Sequence, residues 1–185
     1  MVLSIVPATD ENFADLELLF GPSGAYSGCW CMWNRQTNTE FGENVYEPNR
    51  RALEKLIANG HEYGLLAYAD GRPVGWAALA PRAEYSRLQR SPVNKPVDNK
   101  EVWSVTCFVV DKHHRGRGVA GALLAAAVTR ARQAGATTLE GYPVAPEAEM
   151  ADTEVWHGVE SMFQLAGFTE VARRKPQRPI YRLDL

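Results

Sequence analysis

The chain has 185 residues, of which 45% are hydrophobic and 23% charged, and a formal net charge of −2. These values are typical of a soluble globular protein, and we expect one domain over residues 1–185. The missing basic excess argues against a nucleic-acid-binding protein, and no apolar run reaches the roughly 20 residues of a membrane span. The first residues lack the pattern of a secretory signal, so we expect a cytoplasmic protein that acts without a membrane.

The first third of the chain predicts a strand, two helices and a loop between them. Leu3 to Val6 form a short apolar run, and Thr9 is a predicted N-cap because Phe13 and later apolar residues recur at helical spacing. Residues 21–49 predict a long, packed loop rich in Gly, Ser and Asn. Asn49 is the predicted cap of a second helix that ends at Gly60.

The middle of the chain predicts the centre of a sheet. Asp70-Gly71 lies between two β-rich runs and predicts a hairpin. Residues 83–100 carry two prolines and several charges, which predicts an exposed excursion. Val102–Val110 is the most apolar run of the chain and predicts a central strand.

The last third predicts a crossover and a closing hairpin. An alanine-rich helix follows Gly118, and residues 137–144 predict the next strand. Asp152 or Thr153 is the predicted cap of a helix that runs through Ala166, and two β-rich runs end the chain. The element order predicts a mixed α/β fold with a partly antiparallel sheet.

Three cysteines, Cys29, Cys31 and Cys107, do not have the number or spacing of a disulfide framework. The four histidines are not placed to complete a structural zinc site with them. We therefore predict that the protein holds no metal ion.

The segment HHRGRG, residues 113–118, separates the central strand from the alanine-rich helix. The first N–H groups of a helix lack partners and attract anions, and Gly116 and Gly118 let the backbone approach one closely. Arg115 and Arg117 add charge and donors. The segment predicts a site for a phosphate-bearing cofactor, with an ordinary glycine turn and solvated arginines as the alternative.

A dinucleotide site is a further alternative, because residues 116–121 match G-x-G-x-x-G and Glu140 lies near the expected acidic position. That fingerprint places its first glycine directly at the end of a strand, whereas here five residues separate Val110, the end of the predicted strand, from Gly116. The flanking segments also lack the additional strand-helix-strand units of a dinucleotide fold.

The run CFVVDKHHRGRGVAGALL, with a later Gly167-Phe168 pair, resembles the GNAT superfamily of N-acetyltransferases. Arg115, Gly118 and Ala120 occupy the fixed positions of the family's acetyl-CoA motif. The element order fits from Leu3 to Leu185, which implies a GNAT fold with a mostly antiparallel sheet and helices on both faces. Other stretches, among them GCWCMW and GYPV, resemble a subgroup of unknown substrate.

The resemblance implies that main-chain groups of the central strand pair with the pantetheine arm, while the glycine loop holds the pyrophosphate. The candidate acetyl-CoA contacts are Phe108, Val109, Val110, Arg115, Gly116, Arg117, Gly118, Val119, Ala120 and Phe163.

Acetyl transfer requires a neutral amine and a route for its proton. Many family members have a Tyr donor where this chain has Phe163, which leaves the general acid open. Glu140 and Tyr142 alternate onto one face of a strand and are the predicted catalytic pair, with Glu101 as a further candidate base. His157 is a weaker candidate and is expected on a helix surface.

Aromatic residues predict the wall of an acceptor pocket. The candidates are Trp30, Trp33, Trp103 and Tyr142. The sequence thus predicts an acetyl-CoA-dependent N-acetyltransferase acting on a small primary amine, and a homodimer is compatible with the family. The alternatives are a protein or peptide amine as acceptor, an acyl-CoA-binding domain without catalysis and a nicotinamide enzyme.

Overall fold

A computed structural model describes residues 1–59, 64–145 and 156–185. Within these residues the strands are β1 (Leu3–Pro7), β2 (Leu65–Ala69), β3 (Arg72–Pro81), β4 (Trp103–Val110), β5 (Thr138–Gly141), β6 (Thr169–Lys175) and β7 (Arg178–Asp184). The helices are α1 (Phe13–Phe20), α2 (Asn38–Asn44), α3 (Glu47–Ala58), α4 (Ser86–Arg90), α5 (Val119–Gln133) and α6 (Glu160–Leu165).

The strands form one sheet in the order β1-β2-β3-β4-β5-β7-β6. Strands β4 and β5 pair in parallel, and the other neighbours pair antiparallel. Strand β4 is the middle one of the seven. The predicted mixed, mostly antiparallel sheet with a central strand at residues 102–110 is confirmed.

Helices cover both faces of the sheet because its strands alternate two apolar faces. On one face the buried side of α5, including Leu123 and Ala127, packs with Ala77 of β3 and with Phe163 of α6. On the other face α1 and α3 pack against Trp76, which precedes Ala77 in β3. Period-two alternation along a strand buried on both sides produces this arrangement.

Helix α5 lies close to β3 because Gly75 has no side chain. A Cβ atom built at Gly75 would lie 2.7 Å from Cγ1 of Val119 and 3.0 Å from Cδ1 of Leu123. A larger residue would therefore have to displace the first turns of the helix, since such distances are shorter than real contacts.

Strands β4 and β5 separate after a short parallel ladder. β5 pairs with Trp103, Ser104 and Val105, and the remainder of β4 runs on without it. The register with β3 shifts here and leaves Thr106 as an extra residue on β4, which is a β-bulge. The C-terminal half of β4 consequently presents an open edge.

Several predicted boundaries differ from the structure in the first half of the chain. Thr9 is an N-cap as predicted, but it caps a 3-10 turn, Asp10–Asn12, and the α-helix α1 begins only after that turn. The predicted loop over residues 21–49 contains α2, and α3 begins at Glu47. Asn49 does not cap that helix: it is buried, and its Nδ2 donates to the carbonyl oxygen of Gly28 at 3.0 Å.

The predicted exposed excursion at residues 83–100 is only partly exposed. It contains α4, and Tyr85 and Leu88 are fully buried in a third apolar cluster with Ile180 of β7. The predicted caps Asp152 and Thr153 lie outside the described residues. Within the described residues, α6 begins at Glu160. No helix in the described part of the chain has the length and apolarity that crossing a membrane requires.

Candidate functional site

A cavity of about 1120 Å³ opens beside the free half of β4. Three regions line it: the end of β4 with the following loop and first turns of α5, one side of α6, and an aromatic segment within residues 25–41. The cavity therefore joins the predicted phosphate loop to the predicted acceptor wall.

The loop before α5 leaves main-chain donors without helical partners. Gly118 is the N-cap residue with φ of 83°, and the first helical bond runs from the Ala122 N–H to the Gly118 carbonyl oxygen at 3.0 Å. The preceding N–H groups of α5 thus make no bond within the helix, and they carry the positive end of its dipole. A Cβ atom at Gly116 or Gly118 would meet no atom within 4 Å, so the space beside both positions is open.

The open edge of β4 offers main-chain groups of the kind that bind an extended chain. Val109 pairs with Trp76 of β3, so the peptide groups of Phe108 and Val110 point to the opposite side. There the Phe108 N–H donates to the Trp156 carbonyl oxygen at 2.7 Å, and the Val110 carbonyl oxygen accepts from Arg115 Nε at 3.3 Å. A linear ligand can add to such an edge as a further strand.

The opposite wall combines aromatic rings with thiols. Trp33 and Phe41 contact edge to face with ring centroids 4.9 Å apart. Sγ of Cys31 lies 3.3 Å from Sγ of Cys107, and the Trp76 indole donates to Cys31 at 3.2 Å. Burial raises the pKa of Cys29 to about 12, so this thiol stays protonated near neutral pH and is a poor nucleophile.

Comparison with known proteins assigns the family. A sequence model of the acetyltransferase (GNAT) family matches residues 30–148, which is more than half of the chain. The chain belongs to the GNAT acetyltransferase family. The predicted enzyme class, an acetyl-CoA-dependent acyltransferase, is thereby confirmed. A search of curated proteins found no match.

Solved GNAT structures share the fold at low sequence identity. The PaiA N-acetyltransferase of Thermoplasma acidophilum, in complex with coenzyme A, is 14% identical, with a TM-score of 0.58 over 100% of both chains. The ribosomal-protein-alanine N-acetyltransferase of Brucella melitensis is 18% identical, with a TM-score of 0.58 over 98% of this chain and 99% of that one. The Drosophila melanogaster polyamine N-acetyltransferase, which forms N-acetylagmatine, is 11% identical, with a TM-score of 0.55 over 100% of both chains.

Most predicted cofactor contacts of this GNAT chain lie together in the large cavity. The predicted residues that line it are Trp33, Phe108, Val109, Val110, Arg115, Gly116, Gly118, Val119 and Ala120. Tyr26, His114, Trp156 and Ser161 also line it and were not among the predicted contacts. His114 Nδ1 lies 2.8 Å from Asp111 Oδ1, which fixes the ring at the glycine-loop end of the cavity.

Other predicted residues are not among the described residues that line this cavity. Those residues are Arg117, Phe163, Trp30, Trp103, Tyr142, Glu140 and Glu101. Phe163 is fully buried and packs edge to face on Phe108 and Phe168, at 6.3 and 5.2 Å between centroids. Trp30 packs in the second core at 5.4 Å from Phe20, and Trp103 packs against the first. Phe163 and Trp30 are buried among apolar neighbours and stabilise the fold, and Trp103 is partly buried at the margin of the first core.

Glu140 and Tyr142 form a buried polar network at the closed half of β4. The Tyr142 hydroxyl donates to Glu140 Oε1 at 2.6 Å and lies 2.8 Å from Ser104 Oγ. Arg82 Nε also donates to Oε1, at 3.0 Å, and Arg182 Nε donates to Oε2 at 2.7 Å. Because both carboxylate oxygens are held by guanidinium groups and the residue is 0% exposed, the geometry favours a structural role over proton transfer.

His157 is buried and does not lie on a helix surface as expected. Its Nδ1–H donates to the Thr106 carbonyl oxygen at 2.9 Å, and its ring stacks on Trp156 at 3.6 Å. Burial, with a contribution from Arg178, lowers the pKa of His157 to about 3, so the imidazole is neutral. The pair fills the gap where β5 leaves β4.

Proposed function

We propose that the protein binds acetyl-CoA along the open edge of β4 and transfers the acetyl group directly to a primary amine of a small molecule. The observation that carries this proposal is the single cavity that joins the glycine loop, the free main-chain edge of β4 and an aromatic wall. Its volume of about 1120 Å³ exceeds the usual range of small-ligand pockets, as a long cofactor and an acceptor together require.

The described residues fit the parts of acetyl-CoA. The unpartnered N–H groups at the start of α5 would hold the pyrophosphate, with Arg115 contributing charge. The Phe108 carbonyl oxygen and the Val110 N–H, which are not the groups bonded to Trp156 and Arg115, would bind the pantetheine amides as strand neighbours.

The chemistry requires little from charged side chains. Acetyl-CoA supplies a thioester whose C–S bond breaks as the amine nitrogen bonds to the carbonyl carbon; the sulfur keeps the electron pair and the amine proton passes to solvent or to a base. Trp33, Phe41 and Trp156 line this part of the cavity and would reduce the access of water to the reacting groups once the cofactor is bound. The raised pKa of Cys29 argues against an acyl-cysteine route and supports direct transfer.

The glycine loop provides the test, with a matched control at the other end of the same helix. Gly118 and Gly135 have φ of 83° and 79°, and a Cβ at either meets no atom within 4 Å. Valine therefore imposes similar backbone strain at both positions. We expect Gly118→Val to weaken acetyl-CoA binding by roughly a hundredfold, about 2.7 kcal/mol, and Gly135→Val to leave it within about twofold.

Binding is measured by calorimetry on variants that circular dichroism shows to be folded. Unchanged affinity in Gly118→Val would remove the assignment of the loop. A turnover assay with an amine panel addresses the alternative of a binding domain without catalysis: acetyl-CoA that binds without amine-dependent release of coenzyme A would favour it. Nicotinamide binding without coenzyme A binding would favour the dinucleotide alternative.

A further inference from the structure

A second, polar cavity of about 510 Å³ adjoins the large one. Its described lining is Trp33, Asn34, Gln36, Thr37, Asn38, Arg87, Leu88, Arg90, Ser91, Pro92, Asn94 and His157. Trp33 lines both cavities, and His157 lines the polar one while its neighbour Trp156 lines the large one. The two cavities therefore meet beside the bulge of β4, where the main chain at Thr106 and Phe108 contacts this pair.

The polar cavity carries positive charge without a described compensating acid. Arg87 and Arg90 are its charged residues, its described lining contains no Asp or Glu, and His157 is neutral. Glu40 is the acid that Arg90 influences, but this exposed carboxylate is bound by the backbone N–H of Thr37 and is not among the described lining residues. Two like charges on one cavity favour an anionic ligand.

Arg87 is held in a fixed position with one donor group unused. Its guanidinium stacks on the Trp33 ring at 3.7 Å, Nε donates to the Trp33 carbonyl oxygen at 2.5 Å, and Nη1 donates to Asn38 Oδ1. Nη2 is buried and has no hydrogen-bonding partner among the described residues. Burial lowers the pKa of Arg87, and the charge of Arg90 lowers it further.

Two buried amide oxygens also lack a hydrogen-bonding partner among the described residues. Gln36 Oε1 and Asn94 Oδ1 are buried and have no partner in the described part of the chain, and both residues line the polar cavity. Buried polar atoms without partners are rare in folded proteins, and three of them around one cavity indicate groups that a bound molecule satisfies.

We propose that the acceptor carries an anionic group, a carboxylate or a phosphate, beside its amine, and that Arg87 and Arg90 bind this group in the polar cavity. The inference rests on the proposed acetyl transfer. With the anion on the arginines, the amine points to Trp33 and His157, where the two cavities meet. The unused acceptor oxygens of Gln36 and Asn94 suit N–H or O–H groups of the same molecule.

The experiment compares acceptors with and without the anion, and each kcat/KM is corrected for the fraction of neutral amine at the assay pH. Standard amino acids are paired with their carboxamides, and O-phosphoethanolamine with ethanolamine, at saturating acetyl-CoA. We expect kcat/KM for the anionic member of a productive pair to be higher by roughly tenfold or more. The two arms distinguish a carboxylate from a phosphate.

Arg87→Gln sharpens the test, with Arg51→Gln as the matched control. Arg51 is an exposed arginine of α3 that pairs with Glu47. Arg87→Gln should remove most of the preference by raising KM for the anionic acceptor far more than KM for its neutral partner. Arg51→Gln should keep the preference.

Failure of this inference is separable from failure of the proposed function. Acetylation that prefers the neutral members overturns the anion site and leaves acetyl transfer intact. If acetyl-CoA binds but no amine is acetylated, calorimetry with N-acetylated amino acids and N-acetyl-O-phosphoethanolamine decides the anion site alone. Binding that Arg87→Gln abolishes supports the site, and no binding to the wild-type protein overturns it.

Discussion

The two halves of β4 differ in how they use polar groups. Beside Ser104 the strand pairs with β5, and side chains such as Glu140 and Tyr142 form ion pairs and hydrogen bonds inside the fold. Beside Phe108 the strand has lost β5 and lines the large cavity, with peptide groups facing its open edge. The half of β4 that carries conventional catalytic residue types is covered by β5. The half without β5 borders the large cavity mainly with main-chain groups.

This difference shows that residue type alone is a poor guide to function in this chain. A carboxylate, a phenol and two guanidinium groups satisfy one another where the sheet is complete. Where the sheet is incomplete, the Phe108 N–H and the Val110 carbonyl oxygen bond to Trp156 and Arg115 instead of to a strand, and the large cavity opens beside them.

Replacing Glu140 by Gln tests this contrast most severely. The substitution leaves the Arg82 guanidinium buried without its carboxylate, and Arg82 is only 5% exposed. We expect the free energy of unfolding to fall by about 3–5 kcal/mol, the usual cost of breaking a buried ion pair. Chemical denaturation measures it, and Glu101→Gln, at an exposed position just before β4, should change little.

The same variant separates the structural role from the predicted catalytic one. The double variant Glu140→Gln/Arg82→Gln should lose less stability than the sum of the single variants, because the two charges are coupled. A Glu140→Gln protein of unchanged stability whose kcat falls about a hundredfold would instead identify Glu140 as the proton acceptor, contrary to our expectation.

Phe163→Tyr probes the ring that connects the two halves. Phe163 packs on Phe108 of the open half, and Gly141 at the end of β5 makes room for it: a Cβ there would lie 2.1 Å from Cε1 of the ring. The added hydroxyl is buried in an apolar cluster, so we expect a loss of about 1–3 kcal/mol in stability and no gain in rate.

The control for that variant is Phe41→Tyr, whose partly exposed ring leaves a hydroxyl access to water. Thermal denaturation and steady-state kinetics are the measurements. A Phe163→Tyr enzyme that is as stable as the wild type and faster would show that the hydroxyl reaches the leaving thiolate.

His157→Asn tests the boundary between the two halves through its pH dependence. The pKa of His157 is about 3 in the folded protein and near 6.5 in an unfolded chain, so acid protonates the unfolded state first. Stability is therefore lost as pH falls below 6.5 towards 3. Between pH 7.5 and 5.5 the wild type should lose about 1.4 kcal/mol more than the variant, whose amide can still donate to Thr106.

Urea unfolding at the two pH values gives this difference, in which other titrating groups largely cancel. Equal pH dependence of the two proteins would mean that His157 is accessible to protons in the folded state. The boundary beside Thr106 would then be open to solvent.

Local signals predicted the parts of the molecule that local chemistry determines. The glycine loop follows from φ values that glycine favours, and β4 follows from an uninterrupted apolar run. The shared direction of Glu140 and Tyr142 also follows from alternation, and their 2.6 Å hydrogen bond agrees with it.

Long-range pairing decided what the sequence could not show. Arg82 and Arg182 reach Glu140 from distant parts of the chain, so its burial in ion pairs has no local signal. Asn49 resembles a cap, yet its amide bonds to Gly28, 21 residues away. Arg87 lies in a segment whose prolines and charges suggested exposure. Its packing on Trp33, 54 residues away in the sequence, has no local signal, so the polar cavity that both residues line was not predicted.

The missing side chain at Gly75 determines where the glycine loop lies, because it lets the first turns of α5 pack closely on β3. Val119, whose side chain rests against Gly75, is also the first residue of α5 and lines the large cavity. A helix of 15 residues is a rod about 22 Å long, so any side chain that lifts its first turn carries the N-terminal donors along. Gly75 is not among the described residues that line the large cavity, yet β3 and the glycine loop would have to be transferred together in any graft of this site onto another scaffold.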